Sequence, residues 1–583
     1  MPRGENSSIT VPLYRVLVDG SEIDPLEADA VHEIKITDWL RLPDVCTLAV
    51  GYQAEPKGNP FQRLDDSKFK VGVALEVKLG STDQRTTQTI FKGEIVTVEP
   101  NFQSGSVAMV VRAYDKSHRM MRTRKQRAFL NQTISDIVQA VAGEYGLSPD
   151  TEASGSVLEF VLQHNETDWE FLWRLAKRIG FELTLDDSTL RFAKPGGDGG
   201  EVELSYPEEL HSFRPRITAV QQVNKVNVRG FDHKGKQAIV STKSSPEQVT
   251  EAGITRSAIA GKFPESMLEI AGQSFSSTGE ADAMAQAALD QLANAYLAAE
   301  GSCHGNPAIK AGVKIKISGV GSDFSGTYRV AKAVHVLQTG GYVTQFANST
   351  GEHTLLGQTG GNGSGSAHVD SIVVGVVTNN NDPEQRGRVK VKFPFLSDTE
   401  TFWAPVTLPA AGKERGLSML PVPDEQVVVA FENGDPSYPV VLGSVFNGKD
   451  TPGDEMAVQD GSFALKSDHK ALIAAQEDIN LRTEKGKWVI DVKGGDITET
   501  VKAGGGGSGN YTGTFDGKWA LTSNQAITIE SKMGITIKAP QISVEAQGQL
   551  SVKSQGVLSL EGATVQINGQ AAVNVSGGLI NLG

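Results

Sequence analysis

The C-terminal segment at residues 526–583 repeats a short pattern that limits the folds open to this chain. An apolar residue recurs with gaps of 7 or 8 residues, and a second apolar residue follows two positions later. Apolar residues at i and i+2 are typical of a β-strand with one face turned inward. Gly, Ser, Gln and Ala lie between the repeats, where the chain has to bend tightly. The pattern predicts a β-solenoid, and its predicted core positions are Ile527, Ile529, Ile535, Ile537, Ile542, Val544, Leu550, Val552, Leu558, Leu560, Val565, Ile567, Val573 and Val575.

The length of this segment, called the needle below, decides how many chains build the solenoid. One chain that wraps three sides needs about 23 residues per turn, so the needle would complete only about 2.5 turns, fewer than the three or so units that repeat folds require. If three identical chains each supply one side of every layer, the needle makes about eight layers, and free strand edges remain only at its two ends. We therefore expect an intertwined homotrimeric β-helix. A single-chain solenoid and an open sheet are the alternatives.

Charge, cysteine content and the N-terminal sequence exclude several classes of protein. The formal charge of −14 argues against general nucleic-acid binding. The 2 cysteines, Cys46 and Cys303, are too few for a disulfide framework or a cysteine-based zinc site, and they fit buried thiols of a protein made in a reducing compartment. The start of the chain lacks the apolar core of a signal peptide, and no apolar run is long enough to cross a membrane. We expect assembly in the cytoplasm, no cofactor and no bound metal.

Strand and helix patterns divide the chain into segments, and the predicted fold class is mainly β and multidomain. Short alternating strands with Asp and Gly turn signals dominate, except for two amphipathic helices near residues 131–180 and a third at residues 280–301. A Gly- and Ser-rich stretch marks the clearest boundary. The predicted segments are a β-barrel at residues 1–127, a small α/β insert at 128–200, a second barrel at 201–356, a flexible linker at 357–368, an OB-fold barrel at 369–447, an irregular upper needle at 448–525 and the triple-stranded β-helix at 526–583.

Capping signals place the ends of the helices in the insert. Gly146 is the predicted stop of the first helix. Thr167 is a suitable N-cap for the second helix, Glu170 completes a capping box, and Gly180 ends it. The aromatic residues of this helix fall on one face, which is typical of a core.

A basic run lies just before the insert. Its members are Lys116, Arg119, Arg122, Arg124, Lys125 and Arg127. No aromatic residue is interleaved and the chain is acidic overall, so a solvated hairpin or a charge stripe that faces protein is favoured over a nucleic-acid patch.

The segment at 369–447 resembles the OB domain of the valine-glycine repeat protein (VgrG) and phage tail-spike family. Glycines and prolines at fixed spacings pin its turns, and alternating Val and Phe fill a small barrel. The matching stretches are Asp382-Pro383, Gly387-Arg388-Val389-Lys390-Val391, Phe393-Pro394, Trp403, Pro409-Ala410-Ala411-Gly412, Arg415-Gly416, Leu420-Pro421, Asp424-Glu425-Gln426-Val427, Phe431, Gly434-Asp435-Pro436, Pro439-Val440, Leu442-Gly443 and Phe446-Asn447.

The first half of the chain resembles the hub module of the same family, also called the phage late control protein. The most recognisable stretch runs from Gln163 to Phe181 and includes Asp168, Trp169, Phe171, Leu172, Arg174, Leu175 and Gly180. The resemblance implies a homotrimer in which the two barrels of each chain are hub barrels. They form a pseudo-sixfold ring that joins inner-tube and baseplate proteins to the spike. It also implies an OB collar, a needle that touches the target membrane transiently, and a tip protein of the PAAR type, with effector cargo as a further partner.

The sequence departs from some members of that family. Only residues 448–458 separate the OB-fold from the strand-like pieces of the upper needle, which leaves no room for a lysozyme domain. Some members carry an effector domain after the needle, and we expect none here, since the sequence stops at Gly583. No histidine occurs after His469, so the His-x-His iron site of some phage spikes is missing. An exposed end of β-strands is adhesive, so we expect a separate tip protein to cap Leu579, Ile580, Asn581, Leu582 and Gly583.

Two functions of different classes follow from these features. The first is a mechanical one: the trimeric spike of a contractile injection system, with no enzymatic activity. The second is a trimeric β-helical tailspike enzyme that acts on surface polysaccharide. Residues 526–583 contain no aromatic residue and only three acidic residues, Glu530, Glu545 and Glu561, so the first is favoured. Among such machines, the sequence is most like the spike of an extracellular, phage-tail-like particle, followed by a contractile phage tail and a type VI secretion system.

Overall fold

A computed structural model of the protein describes most of residues 12–582. The residues outside the description within that range are 54–61, 82–85, 104–105, 197–199, 221, 233–234, 248–250, 272–274, 276, 350–371, 394–399, 457–461 and 503–508. The predicted linker at 357–368 and Gly583 therefore lie outside the described residues. The chain forms two compact units, Met1–His469 and Lys470–Gly583.

The secondary structure of the first unit is mainly β, as predicted. The first strands are β1 Pro12–Val18, β2 Ser21–Glu22, β3 Val31–Trp39, β4 Val45–Gln53, β5 Ala74–Ser81, β6 Thr86–Gln103, β7 Ser106–Tyr114, β8 Arg124–Gln132, β9 Ser148–Thr151, β10 Leu158–Thr167, β11 Glu182–Asp186, β12 Thr189–Ala193, β13 Glu201–Ser205, β14 Leu210–Ile217 and β15 Lys225–Asp232. The later strands are β16 Gln237–Lys243, β17 Glu251–Ala252, β18 Met267–Ile270, β19 Leu297–His304, β20 Lys314–Ser318, β21 Gly326–Arg329, β22 Lys332–Gln338, β23 Gly341–Ala347, β24 Val373–Asn379, β25 Arg388–Lys392, β26 Ala404–Pro405, β27 Ala411–Gly412, β28 Arg415–Gly416, β29 Gln426–Phe431 and β30 Pro439–Ser444.

Helices are fewer and mostly short. The α-helices are α1 Pro25–Asp29, α2 Gln62–Asp66, α3 Ile134–Glu144, α4 Asp168–Ile179, α5 Arg256–Ala260, α6 Thr278–Asn294 and α7 Gly453–Met456, with 3-10 turns at Lys116–Met121 and Glu432–Gly434. No helix among the described residues is long and apolar enough to cross a membrane.

One antiparallel sheet joins the two predicted hub barrels. Its strand order is β14-β19-β23-β22-β3-β4-β7-β6-β5-β1-β2. The two halves meet where β22 pairs with β3, from Lys332 opposite Trp39 to Gln338 opposite Glu33. Local patterns predict the strands but not this pairing, because its partners are far apart in the chain.

The core of the sheet follows from strict alternation along its strands. In β4, Cys46, Leu48, Val50 and Tyr52 are buried, whereas the residues between them are partly exposed. Burying a Leu or Val side chain completely contributes roughly 1.5–3 kcal/mol, so a shift of one residue would move this whole set to the wrong face.

The two helices of the insert have the predicted ends. Thr167 caps α4 by accepting a hydrogen bond from the backbone of Glu170, whose side chain accepts one in return from the backbone of Thr167. Gly180 then ends α4 with a φ of 72°, in the left-handed region that favours glycine. Gly146, the predicted stop after α3, also has a positive φ of 65°. Around these helices lie the two-stranded sheet β10-β8 and the three-stranded sheet β11-β12-β9.

The helix predicted at residues 280–301 is too long in the sequence analysis. In the structure α6 ends at Asn294, and β19 begins at Leu297. Alternate residues of β19 are buried in the large sheet, and this tertiary pairing outweighs the helical preference of the Ala-rich sequence. The helix packs on the three-stranded sheet β16-β15-β18, and the remaining strands of this half form the sheet β13-β20-β21-β17.

The OB segment forms a five-stranded sheet whose core includes residues of the insert. The strand order is β26-β25-β24-β29-β30. The core side chains Val377, Val391 and Val429 are fully buried, and they share one cluster with Phe160 and Leu162 of β10. The segment boundaries at 369 and 447 remain predictions, but this core is not built from the OB segment alone.

The second unit bends at regular intervals. Along the needle, bends occur at 524–525, 532–533, 540, 547–548, 555–556, 563, 570–571 and 578. None of the described residues from 470 to 582 lies in a strand, and all of them are exposed in the single chain. The bends repeat every 7 or 8 residues, which is the period of the apolar pattern.

Candidate assembly surfaces

The apolar residues of the needle recur in step with its bends. Each bend is followed by the two predicted core residues, as Ile527 and Ile529 follow the bend at 524–525 and Leu550 and Val552 follow the bend at 547–548. The residues between and beside them are polar or small at most positions. In an extended chain, residues i and i+2 point to the same side, so the two core residues of each repeat share a face. The predicted core positions together are called the apolar stripe below.

This stripe is exposed in the single chain. The exposed fraction is 50% for Ile527, 71% for Ile529, 58% for Leu550 and 65% for Val552. Soluble chains rarely leave long apolar patches uncovered, and such patches mark protein–protein interfaces. The stripe repeats every 7 or 8 residues. A partner that covers its whole length therefore needs apolar groups at matching intervals.

The end of the needle is apolar too. The exposed fraction is 84% for Leu579, 46% for Ile580 and 92% for Leu582. Asn581 lies between the last two, and Gly583 lies outside the described residues. The predicted tip-protein contact is therefore an exposed apolar end, and what covers it stays a prediction.

The predicted basic run neutralises acidic groups of the same chain. Asp168 at the start of α4 is completely buried, and its carboxylate accepts hydrogen bonds from Arg127 at 2.7 Å, Tyr145 at 2.5 Å and Gln163 at 2.9 Å. Lys125 lies 2.7 Å from the same carboxylate. Lys125 and Arg127 therefore face protein, which is one of the two favoured interpretations of the basic run.

The neighbours of Asp168 keep its carboxyl group ionised although it is buried. Burial by itself raises the pKa of its carboxyl, but hydrogen bonds from Lys125, Tyr145 and Gln163 and the charge of Arg127 outweigh burial and hold the pKa below its usual value. Asp168 therefore stays ionised and ties β8 and β10 to the first turn of α4.

Arg178 connects three parts of the first unit. It lies near the end of α4, and its guanidinium is 2.7 Å from Glu280 of α6 and 3.2 Å from Asp435 of the OB segment. The side chains of Arg178 and Glu280 are 16% and 6% exposed. Nearby, the backbone N–H of Leu162 donates a hydrogen bond of 3.3 Å to the hydroxyl of Ser437. The α/β insert thus contacts both α6 and the OB segment.

Within the OB segment, one buried ion pair fixes the loop before β25. Arg388 makes two hydrogen bonds to the carboxylate of Asp382, of 3.0 and 2.7 Å. Hydrogen bonding to Arg388 is the main reason why the pKa of Asp382 lies well below its usual value. These two residues are among those that carry the sequence resemblance.

The sequence analysis predicted the needle positions, which stay a prediction, and it did not predict the contacts between segments. It named neither Arg178 nor Phe160 nor Leu162 as a link. Their contacts lie far away in the chain, and no local spacing indicates them.

Two family models match most of the chain. The model described as the Alg8 N-terminal domain matches residues 8–339, and the model described as the type VI secretion system/phage-baseplate injector OB domain matches residues 373–446.

Curated relatives match the chain at low identity. The type VI secretion system spike protein VgrG1a of Pseudomonas aeruginosa is 24% identical over 389 residues, which cover 60% of this chain and 58% of the relative. The actin cross-linking toxin VgrG1 of Vibrio cholerae is 22% identical over 391 residues, which cover 57% of this chain and 33% of the relative. The alignments thus span only a third to somewhat over half of the length of these relatives.

Among solved structures, one of the similar chains is an Escherichia coli component of the type VI secretion system. The match has a TM-score of 0.44 and 14% sequence identity, and it covers 71% of this chain and 96% of that chain.

Proposed function

We propose that this chain, which belongs to the family of the Alg8 N-terminal domain, is the central spike of a phage-tail-like contractile injection system. One observation carries the proposal: an injector OB domain at residues 373–446 precedes, in the same chain, a long periodic apolar stripe that is exposed in the single copy. The sequence relation to VgrG spike proteins supports it.

The working form is a homotrimer. Two further copies supply partners whose apolar stripes have the same period, so each layer of the needle buries six apolar side chains around the threefold axis. Backbone N–H and C=O groups, which have no strand partner in the described part of one needle, then pair between copies. The single-chain solenoid gains no support, because the described residues of the second unit form no strand ladder within one copy.

The role of the spike is mechanical. The first half of the chain is the hub that meets inner-tube and baseplate proteins. The rigid needle transmits force to the target envelope and contacts its membrane transiently, and a PAAR-type tip protein covers the apolar end at Leu579–Leu582. Effector cargo is a further partner, and nucleic acid is not a partner.

We propose that the chain has no enzymatic activity of its own. The Pseudomonas relatives are named as spike proteins, and the Vibrio relative that is named as a toxin matches this chain over only 33% of its length. The family models and relatives above give no support to the alternative of a polysaccharide-cleaving tailspike.

The chain acts as part of an assembled particle. It assembles in the cytoplasm, and we favour a particle that is then released and works outside the cell over a phage tail or a type VI system. The Alg8 N-terminal domain match over residues 8–339 covers the hub, which is the part that joins the spike to its machine.

The test is a pair of substitutions on opposite faces of one needle repeat. Val552→Asp places a carboxylate on the apolar stripe, whereas Ser551→Asp places the same group on the opposite face of the same extended segment. Three carboxylates buried together repel one another and lose hydration, so Val552→Asp should dissociate the trimer and Ser551→Asp should not. The measurement is the solution mass of the full chain by light scattering.

The proposal would be overturned if the unmodified chain and both variants all had the mass of a monomer. Retention of the trimer by Val552→Asp and its loss by Ser551→Asp would reverse the assignment of the inward face.

A further inference from the structure

Two histidines from distant parts of the chain meet at one edge of the large sheet. His211 lies in β14, which is the first strand in the order of that sheet, and His304 is the last residue of β19. The centroids of the two imidazole rings are 4.1 Å apart, and the ring planes cross at 79°. Because the two residues are far apart in the chain, no local spacing in the sequence indicates this pair.

A β-bulge brings His211 to the outward face of the sheet. The pairing of β14 with β19 shifts by one residue between Leu210 and Ser212, so His211 is the extra residue. Leu210 and its partner Cys303 are buried, whereas His211 and Ser212 are both exposed. Regular alternation would turn one of these two side chains inward. Bulges re-aim side chains in this way, and this bulge places the ring of His211 against the ring of His304.

Both rings are accessible from solvent. His211 and His304 are exposed. Among the described residues, neither ring takes part in a hydrogen bond or an ion pair. His335, by contrast, lies in the core of the same sheet, and its two ring nitrogens lie 2.8 and 2.9 Å from oxygen partners of the chain. The ring nitrogens of the exposed pair are therefore available to a ligand from solvent.

Two imidazoles at this separation suit a first-row transition metal. Imidazole nitrogen is a good ligand for zinc, copper and nickel, and Zn²⁺ binds it at about 2.0–2.1 Å in tetrahedral geometry. The centroids of two rings on one tetrahedral zinc are about 5 Å apart, so this pair reaches that geometry when the exposed side chains move about 1 Å further apart. No cluster of three or more His, Cys, Asp or Glu side chains that could hold a metal occurs in the described part of the chain, so water completes the coordination.

We propose that His211 and His304 form a binding site for a divalent first-row transition metal such as Zn²⁺, which ties the edge strand β14 to β19. The site is independent of the proposed spike function, because both ligands belong to one chain. The sequence analysis expects no bound metal, and the pairing of these two rings is the observation that changes this expectation. A metal that binds only the folded edge stabilises β14 against local opening.

Zinc titration of the full chain, purified without a histidine tag, tests the site. At about pH 7.5 an ordinary imidazole is mostly neutral, and calorimetry should show one zinc ion bound per chain. Loss of an outer-shell partner already lowers metal affinity by roughly 10–100-fold, so His211→Ala and His304→Ala should each weaken binding by at least about tenfold. His32→Ala is the control, because His32 is exposed in β3 of the same sheet and lies outside the pair.

A third histidine beside the pair provides a test by gain of affinity. Val343 of β23 lies directly opposite His304, and residues directly opposite in antiparallel strands share a face, with Cβ atoms about 4.5–5.5 Å apart. Val343→His should therefore tighten zinc binding, by at least about the tenfold that loss of one ligand costs. Gln345→His is the matched control, because Gln345 lies opposite Ser302, one step further from His304, and should change the affinity less.

Two results would overturn the site. The first is absence of zinc binding by the unmodified chain. The second is binding that stays unchanged in His211→Ala and His304→Ala, or that falls equally in His32→Ala. Circular dichroism of each variant checks the fold, and a gain of affinity in Val343→His cannot come from unfolding, so the test stays decisive even if an alanine variant is destabilised.

Discussion

At the scale of single residues, Asp168 is the charge that holds the insert together. It is fully buried, and two cations and two neutral donors surround its carboxylate. Removing one partner of a buried ion pair destabilises a protein by about 3–5 kcal/mol, because the remaining charges lose their counter-ion. For Asp168→Asn we expect a loss near the lower end, since Glu144 still pairs with Lys125 and Arg127.

Denaturant unfolding measures this change in the free energy of unfolding. Glu99→Gln is the control, because the ion pair between Glu99 and Arg112 is largely exposed and exposed pairs contribute little. If both substitutions lowered the free energy of unfolding by the same small amount, Asp168 would not be a major stabilising residue of the insert.

His335 makes the stability of the hub depend on pH. The ring is fully buried, its Nε2 lies 2.9 Å from the carbonyl oxygen of Ile309, and its Nδ1 lies 2.8 Å from the hydroxyl of Tyr342. The carbonyl oxygen can only accept, so Nε2–H donates to it. Burial favours the neutral ring, in which Nδ1 accepts from the hydroxyl. Burial lowers the pKa of His335 to about 4.

The pKa of His335 in the folded protein lies below the unfolded value of about 6.5. Its contribution to the free energy of unfolding is therefore complete above pH 6.5 and is lost as the pH falls towards about 4. Within this window one proton changes the free energy of unfolding by about 1.4 kcal/mol per pH unit. His335→Gln should flatten the pH dependence of unfolding between these limits. An unchanged slope would contradict the neutral, buried assignment.

At the scale of elements, β10 belongs to the OB core as much as to the insert. Phe160 is only 7% exposed and packs in the cluster that contains Val391 and Val429. Truncating a buried Phe costs about 3–5 kcal/mol, so Phe160→Ala should destabilise the OB segment although it lies more than two hundred residues away in the chain.

The control is Leu130→Ala, because Leu130 pairs with Phe160 across β8 and β10 and is 38% exposed. Hydrogen exchange of the amides in β24 and β29 is the readout. Equal protection in both variants would show that the OB core is independent of the insert.

Elements differ in how well the sequence predicts them. The capping box of α4 and the needle period involve residues close together in the chain, so their spacing alone predicts them. The pairing of β3 with β22, the contact of Arg178 with Asp435 and the end of α6 depend on distant partners.

At the scale of the whole molecule, the two units differ in whether a single copy of the chain forms a hydrophobic core. The first unit has several closed cores of its own. In the second unit every described residue from 470 to 582 is exposed. The account therefore predicts that the second unit acquires its core only between copies, and that the trimer is held together mainly by this region.

The solution mass of the unmodified full chain tests that claim most directly. Light scattering should give three copies of the 62.1 kDa chain, about 186 kDa, and the trimer should resist mild SDS, because each strand is hydrogen-bonded to its neighbours in other copies. A stable mass of 62.1 kDa at the same concentration would contradict the trimeric needle and, with it, the account of this chain as an injection spike.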